Sequence, residues 1–158
     1  MMKKIGFSLL LIVFSVAATF AQKTPVKWTA KTTFLSNTTY QVAFTANIDD
    51  DWFIYSQYLD EGGPVATHFS FDNAAYIPPP NQDDEVGEIT QIGYDDLFEM
   101  EVKKFGEKAT FLKTVKVKNS RKPLTGSILF MMCDDSRCLP PKTVTFKIDV
   151  NKNTFSIN

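Results

Sequence analysis

The chain is poor in the residues that most exported small domains lean on. Two cysteines, Cys133 and Cys138, are all it has in 158 residues. A framework of several crosslinks is therefore excluded, as is the inter-sheet bridge of antibody domains, because the pair is too close in sequence. Histidine is scarcer still, with His68 alone. A zinc site built on the two sulfurs would need two further ligands that this set supplies poorly, so no metal or other cofactor is expected. No segment after residue 21 is long and apolar enough to cross a membrane, no internal repeat is visible, and no stretch carries a convincing amphipathic-helix pattern. Excess positive charge is also missing. Without Lys3 and Lys4 the chain holds 15 basic residues against 18 acidic ones, which argues against nucleic acid as a partner.

The N-terminus reads as an export signal. Lys3 and Lys4 precede the apolar run Ile5 to Ala18, and Thr19-Phe20-Ala21 offers small residues at the cleavage positions. Cleavage near Ala21 is expected, with residues 1–21 as signal peptide and 22–158 as a single domain in the periplasm or otherwise exported. The alternative is a single membrane anchor; the run is short for it and lacks a basic stop.

Aromatic residues are plentiful: fourteen phenylalanines, five tyrosines and two tryptophans. They can fill a core without help from a crosslink. Period-2 alternation runs through Tyr40, Val42, Phe44, Ala46 and Ile48, and again through Val144, Phe146, Ile148 and Val150. Phe111, Val115 and Val117 keep the period with one lapse at Lys113, and Ile128, Phe130 and Met132 form another strand candidate. Turn residues separate these runs at Ser36-Asn37, Asp49 to Asp51, Glu61 to Pro64 and Asn119 to Pro123. The proline-rich, acidic stretch Ile77 to Glu85 reads as a long surface loop. Short strands with regular turns predict an all-β fold, an immunoglobulin-like antiparallel β-sandwich.

The chemistry is expected at Cys133-Asp134-Asp135-Ser136-Arg137-Cys138-Leu139-Pro140-Pro141. If Asp134 to Arg137 form the turn of a hairpin, the cysteines face each other within reach of a disulfide. Pro140 and Pro141 give no ladder hydrogen bonds and keep this end open. A ring of six residues stabilises a fold by only ~2.2 kcal/mol in the chain-entropy account, against ~4.7 for a hundred-residue loop. A redox role and a structural staple both remain open on spacing alone. Arg137 favours a thiolate at Cys138, whereas Asp134 and Asp135 disfavour one at Cys133. The local charges therefore make Cys138 the nucleophile and Cys133 its resolving partner; the same charges also suit an ordinary solvated turn.

This run, from Cys133 to Lys142, resembles the active-site hairpin of the N-terminal periplasmic domain of the thiol:disulfide interchange protein DsbD. Asp51-Trp52-Phe53-Ile54-Tyr55 is similar to that family's aromatic strand beside the cysteines. Tyr94-Asp95-Asp96-Leu97-Phe98, with Glu101-Val102 and Phe105, is similar to its cap loop. The resemblance spans about Lys27 to Val150. It implies that Cys138 forms mixed disulfides resolved by Cys133, that Phe98 caps the sulfurs, that Asp96 tunes their protonation, and that Phe53 and Tyr55 line the pocket. The alternative for Phe98 is an ordinary loop aromatic packed on the core; for Phe53 and Tyr55 an alternating core strand is an equal alternative.

The implied activity is thiol–disulfide exchange. The cysteine pair would pass electrons to oxidised exported proteins, in the setting of periplasmic electron transfer and cytochrome c biogenesis. Thioredoxin-like or membrane electron-carrier proteins would be its partners, and a monomer is expected. The spacing between the cysteines is one residue shorter than in the best-known members, Leu97 stands where they carry a second acid, and Phe53 replaces a tyrosine. The chain ends at Asn158, before the membrane carrier and thioredoxin-like domain of the family prototype, so a separate electron donor is expected. Two other readings stay open: a non-enzymatic exported binding module whose short disulfide stiffens a loop, and a vestigial domain that has lost its donor.

Overall fold

The computed structural model describes residues 24–158; the expected signal peptide lies outside the described residues. Eleven strands follow one another among them, and no helix. They are β1 (Val26–Ser36), β2 (Thr39–Ile48), β3 (Phe53–Tyr55), β4 (His68–Phe71), β5 (Ala74–Ile77), β6 (Glu85–Asp95), β7 (Met100–Val117), β8 (Leu124–Phe130), β9 (Met132–Cys133), β10 (Lys142–Asp149) and β11 (Thr154–Ile157).

All pairings are antiparallel, in two sheets. The larger runs β1-β2-β7-β3-β9, with β5 and β6 also hydrogen-bonded to β7; the smaller runs β11-β10-β8-β4. This is the immunoglobulin-like all-β sandwich that the alternation predicted. Strand β2 buries Tyr40, Val42, Phe44, Ala46 and Ile48, and β10 buries Val144, Phe146 and Ile148. These side chains meet between the sheets around an aromatic cluster in which Trp28 lies 5.3 Å from Phe130 and Phe44 lies 4.9 Å from Phe146.

The turns fall where the sequence placed them. Asn37 ends the β1–β2 hairpin with φ 49°, and Asp51 turns the chain into β3 with φ 65°. Both are conformations that Asn and Asp tolerate better than most residues.

Two expectations need correction. Strand β7 is far longer than Phe111 to Val117, because its N-terminal half carries β6 on one side and β3 on the other. The stretch Ile77 to Glu85 is a surface loop only in part. Its acidic end folds inward, with Asp84 and Glu85 each about 95% buried. The lapse at Lys113 has the same cause: its side chain is buried and meets the Asp84 carboxylate at 2.7 Å. Gln57 and Tyr76 also accept hydrogen bonds from this ammonium, while Tyr58 and Gln57 donate to Asp84. A buried ion pair persists only when its remaining valences are met in this way.

Next to it, the Glu85 carboxylate accepts the Ser56 hydroxyl at 2.5 Å and the Gln57 amide at 3.0 Å, and pairs with Lys103 at 2.9 Å. These contacts tie the segment after β3 to the start of β6.

Candidate redox site

The site arises where the chain changes sheets. Strand β8 belongs to the smaller sheet up to Phe130; two residues later Met132 pairs with Ile54 and Cys133 with Phe53 in the larger one. Past Cys138 the chain returns, and Lys142 pairs with Phe130. The cysteine hairpin is therefore an excursion between two neighbouring strands of the smaller sheet, held against the end of the larger one.

Cys133 and Cys138 are joined by a disulfide across this hairpin, with Cα atoms 4.0 Å apart and an antiparallel bridge between them. Asp134 builds the turn. Its carboxylate accepts the Ser136 amide and hydroxyl and the Arg137 amide, each at 2.8 Å. The Ser136 bonds, reinforced by those of Arg137, hold this carboxyl below the ordinary range despite some desolvation. Arg137 turns its guanidinium to Asp134, with Nε 3.4 Å from the carboxylate, and lies 5.8 Å over the Trp52 ring. It is exposed and partnered by an acid, so its charge is not reserved for Cys138. Pro140 and Pro141 are exposed and outside any strand.

Alternation in β3 decides what surrounds the sulfurs. Ile54 points into the sandwich core with Phe105 and Met132. Phe53 and Tyr55 point to the opposite face, where Tyr55, Val102 and Cys133 form a separate buried cluster flanked by Leu59, Phe98, Met100, Met131 and Cys138. Phe53 stands directly across from Cys133 in the register. Gly106 leaves room for its ring: a Cβ there would lie 3.2 Å from Phe53 Cε1. Cys133 is 2% exposed, whereas Cys138 is only half-buried and is the more accessible residue of the pair.

The stretch similar to a cap loop is the tip of the β6–β7 hairpin. Phe98 is half-buried there and meets Tyr55 edge-on, with ring centroids 5.9 Å apart. The turn is fixed by Asp95, whose carboxylate accepts the Leu97 amide at 3.0 Å, and by Glu99 with φ 55°. Asp96 is exposed on the tip. The acid that faces the cluster is its neighbour Asp95, which pairs with Lys104 at 3.2 Å. Burial, and then the Asp95 charge, push the Tyr55 hydroxyl well above its usual pKa, so it stays a neutral phenol. Lys104 also lies 4.8 Å over the Phe53 ring.

The structure thus brings Cys133, Cys138, Tyr55, Phe53 and Phe98 together and leaves Asp96 and Arg137 at the rim. Asp95 and Val102, quoted in the cap-loop stretch without a role of their own, join the site, as does Lys104, which had not been singled out. Only the pairing register of β6 on β7 distinguishes Asp95 from Asp96, and composition carries no trace of it. His68 is exposed on β4. Among the described residues no group of three or more His, Cys, Asp or Glu side chains is placed to hold a metal ion.

The family model of the thiol:disulfide interchange protein DsbD, N-terminal, matches residues 21–150. The chain belongs to this family. Among solved structures, the N-terminal domain of Neisseria meningitidis DsbD in the reduced form is similar, at 13% identity and a TM-score of 0.46, over 82% of this chain and 89% of that one. No curated protein matches the chain. Membership of the DsbD N-terminal family, with a disulfide-bonded cysteine pair in the matched region, supports a role in thiol–disulfide exchange.

Proposed function

We propose that the protein is a periplasmic electron carrier whose Cys133–Cys138 pair reduces oxidised exported proteins. The arrangement that carries this reading is a disulfide packed on the outer face of the larger sheet, away from the main core, beside Tyr55 and next to the half-buried Phe98. A bridge serving stability alone gains nothing from an aromatic cap over a separate small cluster.

In the reduced protein the Cys138 thiolate attacks a partner disulfide. One partner thiolate leaves and a mixed disulfide forms. The Cys133 thiolate then attacks the Cys138 sulfur, the second partner thiolate leaves, and the Cys133–Cys138 bond is restored. Two electrons pass to the partner, and a membrane or thioredoxin-like donor returns two to the pair. Greater access to Cys138 supports its part as the attacking sulfur; burial of Cys133 suits resolution. Phe98 acts as the cap, and Phe53 and Tyr55 line the pocket.

The test is the reduction potential of the pair in graded thiol buffers, followed by trapping with Cys133→Ser. A potential of about −180 to −270 mV, with mixed disulfides accumulating on Cys138, is the expected result. A potential below about −300 mV, without trapped partners, would make the bridge a structural staple and leave the sandwich as a binding module.

A further inference from the structure

Sulfur is scarce in this chain, and most of it is in one place. After residue 21 there are two cysteines and three methionines, Met100, Met131 and Met132. Met132 is buried in the main core with Ile54. The other two methionines pack, with Cys138, against the buried cluster of Tyr55, Val102 and Cys133. Alternation explains the convergence. Met131 stands two residues before Cys133 and Met100 two before Val102, so each shares the face of the residue it precedes.

One segment of the chain holds both thioethers. Met131 Sδ accepts the Val65 amide at 3.3 Å. Met100 Sδ fills the space over Gly63, where any Cβ would collide with it. Ligands for harder ions are scarce here. Asp95, the acid that faces the cluster, is paired with Lys104 at 3.2 Å, and His68 stands on β4 in the other sheet. Zinc would need further ligands of the nitrogen, oxygen or thiolate kind. Thiolate and thioether together are the soft set that selects monovalent copper.

We propose that the reduced pair binds one Cu(I) ion, with the Cys133 and Cys138 thiolates as ligands and the Met100 and Met131 thioethers completing the shell. Each thiol gives up its proton as its sulfur takes the ion, and no electron moves. Oxidation of the pair to the disulfide removes both thiolates and releases the ion. Bound copper occupies the sulfurs that exchange would use, so metal and partner disulfide compete. The site uses the cysteines of the proposed function but not its reaction, since a chemical reductant can open the bond whatever its potential.

The experiment starts from protein reduced with dithiothreitol and freed of it under nitrogen. Cu(I) is titrated in against bathocuproine disulfonate, whose coloured complex reports the copper that the protein does not hold. One ion per chain is expected, with an X-ray absorption shell of sulfur alone that counts more than two sulfurs. Met100→Leu with Met131→Leu, a volume-conserving change, should weaken retention at least roughly tenfold, the equivalent of ~1.4 kcal/mol, with the thermal midpoint and the reduction potential unchanged. The oxidised protein should hold no copper, and the reduced protein should hold Zn(II) far less firmly than Cu(I). A shell of two sulfurs, copper retention undiminished in the methionine double variant, or Zn(II) held as firmly as Cu(I) would each overturn the proposal. A potential below about −300 mV beside an intact copper site would instead remove the electron carrier alone, so the two failures are distinguishable.

Discussion

Phe98 meets Tyr55 edge-on, its ring plane 85° from that of the tyrosine and the centroids 5.9 Å apart. This contact joins the tip of the β6–β7 hairpin to the strand beside Cys133, and in the proposed function it is the closing element of the site. An aromatic pair of this kind contributes about 0.5–1.5 kcal/mol beyond its buried area. Phe98→Ala should therefore raise the open population by about two- to tenfold. Stopped-flow reduction of the disulfide by dithiothreitol should accelerate by that factor, with the thermal midpoint little changed because Phe98 lies outside the main core. An unchanged rate would remove Phe98 from the cap.

Asp95 and Asp96 are adjacent in sequence but differ in surroundings, and their amide variants separate the two. Asp95 acts on the Tyr55 hydroxyl, so the same negative charge disfavours a thiolate in the reduced cluster. Asp95→Asn should lower the pKa of the attacking thiol by about one unit or less and shift the pH–rate profile of exchange to lower pH. Asp96→Asn, on the exposed tip, should leave the profile in place. The reverse pattern would return the tuning role to Asp96.

Strands β2, β8 and β10 were legible because each has one face on the core and one in water, which writes the period of two into the sequence. Strand β6 was not legible. It lies along a sheet edge, where Ile92 is 74% and Tyr94 62% exposed, so burial imposes no pattern on it. The cysteine hairpin was legible from its spacing and its Pro-Pro sequel. The opposition of Phe53 and Tyr55 to Ile54 was not, because alternation says that neighbours face apart but not which face holds the core. Lys113 did leave a signal, a single polar residue at a core position of a strand. Its partner came from a loop whose prolines suggested exposure.

The Lys113–Asp84 pair makes a stability prediction. Lys113→Met leaves the Asp84 carboxylate buried without its cation, a loss of about 3–5 kcal/mol in comparable cases. Combining it with Asp84→Leu should recover part of that loss, since replacing both members by apolar groups is far milder. Urea denaturation of the single and double variants measures both. Additive losses would show that the two side chains do not act as a pair.

Acid stability follows from the same carboxylate. Burial alone raises the Asp84 pKa, but hydrogen bonds from Lys113, Tyr58 and Tyr76 outweigh it and hold the group below its ordinary 3.8. The folded state thus resists protonation at pH values where the unfolded chain already takes up the proton. Stability from this group is present above about pH 4 and is lost as pH falls through the lower folded value. Denaturation midpoints measured between about pH 5 and 2 should fall with acid. Asp84→Asn should flatten that dependence while lowering stability near neutrality, and an unflattened curve would place the acid sensitivity elsewhere.

The sheet that carries the cysteines presents its core side chains on one face and the cluster of Tyr55, Val102 and Cys133 on the other. Lifting Phe98 uncovers Tyr55 while Phe105 and Ile54 stay packed behind the same strands. With Phe98 as the proposed cap, the site would open and close at the cost of a local contact alone, while the sandwich keeps its full resistance to unfolding. Evolution could then retune how long the sulfurs stay exposed, by changing hairpin-tip residues such as Leu97 and Phe98, without drawing on the reserve that keeps the chain folded.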